Sequence, residues 1–343
     1  MTGYFLRRLL LVIPTFLGVT LLVFTLTRLV PGGPIERMMN QAMMANTDKG
    51  GGGQRGLGGG ALSEAQMNEL KAYYGFDKPI ALSYVDWLGK VLRLNLGTST
   101  RYNEPVLSTI TSRLPVTVAY GLISLIFTYA VSVPLAIAKA IRHRTLFDDA
   151  SSALVFIGYA LPSYVVAIVL LVWFAFNLEW FPLSGFVSDD YSTLSTLGRI
   201  KDLFTHAVLP MIAYTAGAFA FSTFMMKNAL MDNLAADYVR TAVAKGLTFR
   251  DAVYKHAFRN GLIPVATSIG GNISGAIAGS FLIERIFNID GFGLLGFESL
   301  TERDYPVVMG ILVISAVIYL LGNILSDICI ALVDPRVKFG STG

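Results

Sequence analysis

Apolar residues fall in long blocks separated by polar segments. The first block, 9–26, follows Arg7 and Arg8. It is longer than the ~7–15 residues of a secretory h-region and no A-x-A site follows it, so it reads as a retained membrane span. Further blocks at about 115–138, 150–176, 207–226, 262–283 and 307–333 bring the predicted spans to six. Pro115 falls in the first turn of the second span and Pro134 near its end, while Pro162 predicts a kink in the third. In the fifth, Gly271, Gly275 and Gly279 recur every four residues and predict a flat stripe that another helix can approach closely. The fold class expected is all-α, a polytopic membrane protein with six transmembrane helices.

The polar segments have patterns of their own. Pro31, Gly32, Gly33 and Pro34 end the first helix. Residues 50–60 are glycine except for Gln54, Arg55 and Leu57. No Gly-Lys-Ser/Thr follows and no strand precedes, so this stretch reads as a flexible linker rather than a phosphate-binding loop, and no other stretch offers that ATP-binding motif. Ser63 and Gln66 form a capping box for a helix that Gly75 ends, and Asp77, Lys78 and Pro79 make a turn. Leu82, Val85, Leu88, Val91 and Leu92 then give a second amphipathic helix. The two helices are expected to lie on the outer membrane face as a small lid, with simple loop filler as the alternative. This divides the chain into 1–30 with the first span, an external helical loop insertion at 31–112, and a five-span core at 113–343 that includes a polar segment at 227–261.

Within that polar segment, 237–264 reads as two short amphipathic helices hinged at Gly246. The first ends where Gly246 supplies positive φ; the second starts at Thr248, an N-cap, with Asp251 in its first turn. Phe249, Ala252, Val253, His256 and Ala257 fall on one face, while Arg250, Lys255 and Arg259 point elsewhere. A DNA-binding helix-turn-helix is a poor reading for a segment strung between two spans. A solvated loop whose bases only fix orientation is the plainer alternative, against which stands an apolar stripe in need of a partner.

Composition agrees with a membrane protein: of 343 residues 54% are hydrophobic and 15% charged, and mean hydropathy is +0.59. The net charge of +4 sits beside the apolar blocks, as membrane orientation requires, and no nucleic-acid partner is expected. A single Cys329 excludes an internal disulfide, and His143, His206 and His256 lie in different segments with no H-E-x-x-H pair, so neither a metal site nor an enzyme is expected. Arg7, Arg8, Lys139, Arg142, Arg144, Lys227, Arg240, Lys245, Arg250, Lys255, Arg259, Arg336 and Lys338 all fall on the side of the N-terminus. The two short opposite loops hold Arg199, Lys201, Arg285 and Arg303 among more acids than bases. By the positive-inside rule both termini and the Gly246 hinge face the cytoplasm, with Arg28 and Arg113 as mild exceptions.

Tyr238, Val239, Arg240, Thr241, Ala242, Ala244, Lys245 and Gly246, followed by His256, Ala257, Arg259, Asn260 and Pro264, resemble the coupling-loop motif of permease subunits in the dipeptide, oligopeptide and nickel ABC importer family. The resemblance runs through almost the whole chain. It takes in Pro31, Gly32 and Pro34; Gly75, Phe76, Asp77, Lys78 and Pro79; Leu96, Gly97 and Ser99; Pro182, Ser184 and Gly185; Glu284, Phe287, Gly291 and Gly293; Asp304, Tyr305 and Pro306; and Asp327, Asp334, Pro335 and Arg336. The long first external loop looks like that of the first of the two permease subunits, and its glycine-rich insertion is most similar to the Yej-type, whose family substrates include peptides and the peptide-nucleotide microcin C. The chain departs from the pattern in two places: Arg240, Thr241 and Ala242 stand where the broader importer signature has Glu-Ala-Ala, and Asp290 stands where proline usually precedes Gly291.

The resemblance implies an ABC importer permease fold in the bacterial inner membrane, paired with a second permease subunit and served by a periplasmic substrate-binding protein. ATP and Mg would be held by separate ATP-binding subunits, with no cofactor on this chain. It further implies that Asp237, Tyr238, Arg240, Thr241, Ala242, Lys245, Gly246, His256, Arg259 and Asn260 couple to the ATPase, so that peptide import is driven from outside the chain. Thr267, Ser268, Asn272 and Ser274, with Glu284 at the outer end of the span, are candidates for a translocation path, although small polar residues equally serve helix packing. Asp327 reads either as part of a gate or as a salt bridge or cap near Arg336. An ion-coupled secondary transporter is the alternative function; it predicts charges at span midpoints and inverted repeats, and the sequence has neither. An intramembrane hydrolase finds no support in three scattered histidines.

Overall fold

A computed structural model describes residues 2–29 and 78–333. The glycine-rich stretch, the capping box at Ser63, the turn at Asp77 and the Asp334, Pro335, Arg336 motif lie outside the described residues. The described part is helical, with one isolated bridge, Thr98 to Pro105. In chain order the helices are α1 (Thr2–Leu29), α2 (Ile80–Leu92), α3 (Val106–Ile141), α4 (Leu146–Ala160) and α5 (Ser163–Leu170), which continues as a π-helical turn over Leu171–Asn177. They continue with α6 (Thr196–Leu234), α7 (Asp237–Ala244), α8 (Phe249–Ala252), a π-helical turn at Val253–Ala257, α9 (Phe258–Gly261), α10 (Ile263–Ala278), α11 (Phe281–Ile286), α12 (Phe292–Thr301) and α13 (Tyr305–Val333).

Five helical stretches are long and apolar enough to cross a membrane, and α4 with α5 makes a sixth if the bent pair is one span. The bend between them is 96°. Pro162 is the cause: it disfavours the helical region for the residue before it, and Leu161 is extended at φ −88°, ψ 124°. The kink expected there is a full break. Pro134, by contrast, is carried inside α3 without ending it.

The described residues fall within two compact units, Met1–Val12 with Arg113–Leu295 and Val317–Gly343, and Ile13–Ser112 with Gly296–Ala316. In the second unit α2 packs on α1 through Tyr84 and Trp87, whose rings lie 5.6 and 5.4 Å from Phe24, and the Tyr84 hydroxyl donates to the Leu17 carbonyl at 3.1 Å. This corrects part of the amphipathic face read from sequence: Val91 is buried and Leu88 half-buried, but Leu82, Val85 and Leu92 are exposed, because the aromatic pair supplies the contact with α1. The same unit is pinned by Asp304, fully buried, whose carboxylate accepts from the Ser99 hydroxyl at 2.5 Å and from the backbone N–H groups of Thr100 and Arg101.

In the first unit α10 and α13 touch at glycine. A Cβ at Gly270 would overlap the Gly322 carbonyl and Ser326, and Ser326 donates to the Ala266 and Thr267 carbonyls at 3.2 and 2.6 Å. The close-approach stripe is therefore Gly270 and Ser274 against Gly322 and Ser326. Of the stripe expected at 271, 275 and 279, Gly279 is closely approached, by Thr117 and Glu284, while Gly271 and Gly275 face open space within the described residues. Asp327 pairs with Arg8 at 3.1 Å; Arg336, the partner the sequence offered, lies outside the described residues.

Candidate functional site

The Gly246 elbow is built by local chemistry. Helix α7 ends in a Schellman-type turn in which the Gly246 N–H donates to the Val243 carbonyl at 2.9 Å and the Leu247 N–H to the Ala242 carbonyl at 3.2 Å. That turn puts Gly246 at φ +97°, in the region that favours glycine. The Thr248 hydroxyl then accepts from the Asp251 N–H at 3.2 Å and starts α8.

The inner side of the elbow rests on its own chain. Val239, Ala252, Val253 and Ala257 join Ala136, Ile137 and Ala140 of α3, Met226 and Leu230 of α6, and Val265 of α10 in one buried cluster. The apolar stripe thus finds its first partner internally. Two members of the face read from sequence are not in it: Phe249 and His256 are exposed. The π-helical turn at Val253–Ala257 accounts for His256, since its wider pitch rotates the following positions off a 3.6-residue face.

The structure distributes the expected coupling residues over three settings. Ala242 is buried. Tyr238 and Asn260 brace the elbow: the Asn260 amide donates to the Tyr238 hydroxyl at 3.0 Å, which donates to Asn233 at 2.7 Å. Arg259 is tied to the end of α13, donating to the Val333 carbonyl at 3.0 Å. The Thr241 hydroxyl closes on the Asp237 carbonyl, while Asp237, Arg240, Lys245 and His256 turn outward. Sequence reasoning passed over Val243 and Tyr254, which with Tyr238 and Phe249 leave large apolar surface exposed around the elbow. Arg240, Lys245, Arg250 and Lys255 of the same segment are exposed as well, with the Arg250 guanidinium 5.9 Å from the centre of the Tyr254 ring.

An ionic cluster sits beside this region. Lys139, counted from sequence among the bases on the side of the N-terminus, is the last-turn lysine of α3 and is fully buried. Its ammonium lies 3.2 Å from the Asp148 carboxylate and donates to the Asp148 carbonyl and to the hydroxyls of Ser151 and Ser152 at 2.9, 2.8 and 2.6 Å. Lys227 of α6 reaches both carboxylate oxygens of Asp148 at 2.6 and 2.8 Å. Its carboxylate thereby joins α3, α4 and α6.

Near the midpoints of the long helices lies a cavity of about 300 Å³, walled by α3, α5, α6 and α10. Among the expected path residues, Asn272 lines it and donates to the Tyr129 hydroxyl at 2.5 Å. Ser268 lies one turn away, within 3.4 Å of both groups. The Thr267 hydroxyl closes on the Ile263 carbonyl, and Ser274 is buried against Gly270. Glu284 is fully buried at one end of the cavity wall, accepting from Thr117 at 2.9 Å, Tyr214 at 3.3 Å and the Leu294 N–H at 2.6 Å. Thr117 in turn accepts from the Phe292 N–H at 2.8 Å, so Glu284 braces the turn between α11 and α12.

Residues 132–339 match the family of binding-protein-dependent transport system inner membrane components. The chain is 38% identical to the peptidoglycan transport system permease protein YejB of Agrobacterium fabrum over 99% of both chains. It is 39% identical to the inner membrane ABC transporter permease protein YejB of Escherichia coli O157:H7, again over 99% of both. It is also 34% identical to the oligopeptide transport system permease protein AppB of Bacillus subtilis, over 99% of this chain and 100% of the other. With this match to more than half of its length and relatives alike from end to end, the chain belongs to the inner membrane components of binding-protein-dependent transport systems.

Proposed function

We propose that this chain is a permease subunit of an ATP-driven importer that moves peptides or peptide-like compounds inward across the bacterial inner membrane. Both termini and the Gly246 elbow face the cytoplasm, where the elbow docks on a separate ATP-binding subunit that carries ATP and Mg. A second permease subunit, a periplasmic substrate-binding protein and membrane lipid complete the surroundings. Support for a peptide cargo comes from relatives named for oligopeptide and peptidoglycan transport.

The observation that carries the reading is the two-sided elbow. Its inner side is locked into the core formed by α3 and α6, and its outer side leaves Tyr238, Val243, Phe249 and Tyr254 exposed among basic side chains. A push on the outer side passes into the spans, because the inner side has no play. No covalent chemistry is asked of the chain. The test is purification from membranes followed by reconstitution: an ATPase should co-purify, and peptide uptake should require ATP. Peptide uptake by the chain alone in ATPase-free proteoliposomes, driven by an ion gradient, would overturn it.

A further inference from the structure

The chain reverses between α3 and α4 at residues 142–145, and the reversal is held still. The Arg144 N–H donates to the Asp148 carboxylate at 3.3 Å, the His143 ring lies 3.1 Å from it, and the Thr145 hydroxyl donates to the Arg142 carbonyl at 2.6 Å. Arg144 stands at φ +61°, a left-handed conformation that an arginine adopts where its surroundings impose it. Arg142 and Arg144 are both exposed. The nearby Asp148 carboxylate is taken up by the Lys139 and Lys227 ammoniums, and among the described residues neither guanidinium pairs with an acid. Arg142 lies instead over the Phe147 ring at 5.1 Å. Against Lys139, Arg142, Arg144 and Lys227 stand Asp148 and Asp149, which leaves an excess of two positive charges with His143 neutral. Apolar surface fixes the depth of that charge. Leu146, 88% exposed, opens a stripe on α4 that continues through Ala150, Leu154 and Ile157, all exposed at three- or four-residue spacing. The stripe belongs to a helix pair apolar enough to cross a membrane. Its first residue follows the arginines directly, so they sit where hydrocarbon gives way to headgroups.

We propose that the α3–α4 reversal is a binding site for an anionic phospholipid, with Arg142 and Arg144 on its phosphate and Leu146 and Phe147 against the first methylenes of its acyl chains. Guanidiniums suit this task, because each binds a phosphate through two parallel N–H···O bonds. Charge selects an anionic lipid: a zwitterionic headgroup brings its own cation beside the phosphate and leaves the excess of positive charge unbalanced. An acidic protein surface would balance it too, but would not cover an apolar stripe that runs on from Leu146 to Ile157, about 16 Å along α4 into the depth of the bilayer. The site has a mechanical consequence. Ala136, Ile137 and Ala140 of α3 lie in the buried cluster under the elbow, and Asp148 ties α3 to α4 and α6, so a lipid held at the reversal steadies the seat on which the elbow rests.

The test uses the assembled importer in phosphatidylcholine vesicles that contain a trace of phosphatidylglycerol bearing a diazirine beside its glycerol backbone. After irradiation, adducts are mapped by chymotryptic digestion and mass spectrometry. They should fall within 142–147 despite the excess of phosphatidylcholine, and unlabelled phosphatidylglycerol should compete them away while inorganic phosphate should not. Arg142→Gln with Arg144→Gln should weaken the affinity read from that competition about 30-fold, roughly fivefold per base. Lys245→Gln with Lys255→Gln, which removes the same charge from the elbow, should leave it unchanged, and Arg142→Lys with Arg144→Lys should lose only part of it. Equal labelling of 142–147 by a phosphatidylcholine probe overturns the proposal, as does displacement by inorganic phosphate. Labelling confined to the chain stripped of its partner subunits also overturns it, since a protein would then cover the reversal. The competition is read on the unaltered importer, so it decides the matter even where a variant does not fold. Labelling needs no transport: an importer that labels as expected but carries no peptide refutes the peptide reading and keeps the lipid site, and the converse result refutes the lipid site alone.

Discussion

Replacing Asp148 by asparagine removes the negative charge from a carboxylate held by the Lys139 and Lys227 ammoniums, with the His143 ring at 3.1 Å and the Arg144 N–H at 3.3 Å completing its contacts. Lys139 is fully buried and Lys227 is 13% exposed, and both hold Asp148 at 2.6 to 3.2 Å. The cluster carries one excess positive charge as built. Asp148→Asn raises that to two with nothing to balance them, the situation in which breaking a buried pair costs about 3–5 kcal/mol. Lys139→Met moves the other way: it leaves one carboxylate facing one ammonium and relieves the desolvation of the most buried charge, so it should cost only about 1–2 kcal/mol for the lost charged hydrogen bonds. The two variants, both of similar volume to the residues they replace, should therefore differ by about 2 kcal/mol or more. Reversible unfolding of the purified chain by SDS titration in mixed micelles measures the difference directly. Asp148→Asn proving as stable as Lys139→Met, or more so, would refute the assignment of Asp148 as the common anion of α3, α4 and α6.

Gly246→Val should strain the elbow by about 1–3 kcal/mol through its backbone alone, since a Cβ there meets nothing within 4 Å. Uptake should fall while ATP hydrolysis and membrane levels persist, Gly246→Asn should be milder, and wild-type uptake by the valine variant would count against coupling at this position. Gly270→Val should destabilise by about 1–3 kcal/mol or more in the same SDS titration, because it collides with the backbone of Gly322, whereas Gly271→Ala should stay within about 0.5 kcal/mol. Thr117→Val should cost about 1–3 kcal/mol by stripping both the Glu284 contact and the acceptor of the Phe292 N–H, with faster amide exchange at Phe292 and recovery in Thr117→Ser.

Spans, breaks and caps were legible because each is decided within a turn or two of sequence. Six apolar blocks, the break at Pro162, the N-cap at Thr248 and the positive φ at Gly246 all follow from residues next to one another. What was not legible depends on choices the sequence offers twice. Rows of small residues four apart run through 270 and 274 as well as through 271, 275 and 279, and only the partner row at Gly322 and Ser326 decides which one is packed. Lys139 looks like any flanking base; what buries it is Asp148, Ser151 and Ser152 after a reversal of the chain, a pairing that no periodicity announces. His256 leaves its expected face because of a π-helical turn, and Glu284 proves to be a brace because the turn right after its own helix folds back onto it beside Thr117, which comes from far earlier in the chain.

Helix α6 relates the elbow to the cavity in mechanical terms. Its 39 residues rise about 58 Å, roughly twice the ~30 Å of a bilayer's hydrocarbon, so the helix extends well beyond the membrane and carries the elbow at its end. Leu230 lies in the buried cluster beneath the elbow, and Tyr214, about 24 Å back along the same helix, lines the cavity and bonds to Glu284. No proline interrupts the stretch between them; Pro210 falls beyond Tyr214. A rigid α-helix transmits displacement with little loss, so a shift imposed on the elbow reaches the cavity wall and, through Tyr214 and Glu284, the turn between α11 and α12. Inserting a helix-breaking Pro between Tyr214 and Leu230, for example Ala220→Pro, should therefore separate ATP hydrolysis from uptake; Ala220 is itself in neither the buried cluster under the elbow nor the cavity lining, although Ala218, Phe221 and Ser222 beside it line the cavity and move with the break. Tight coupling in a folded, assembled Ala220→Pro variant would mean that the push travels by another route, and the lever assigned to α6 would have to be abandoned.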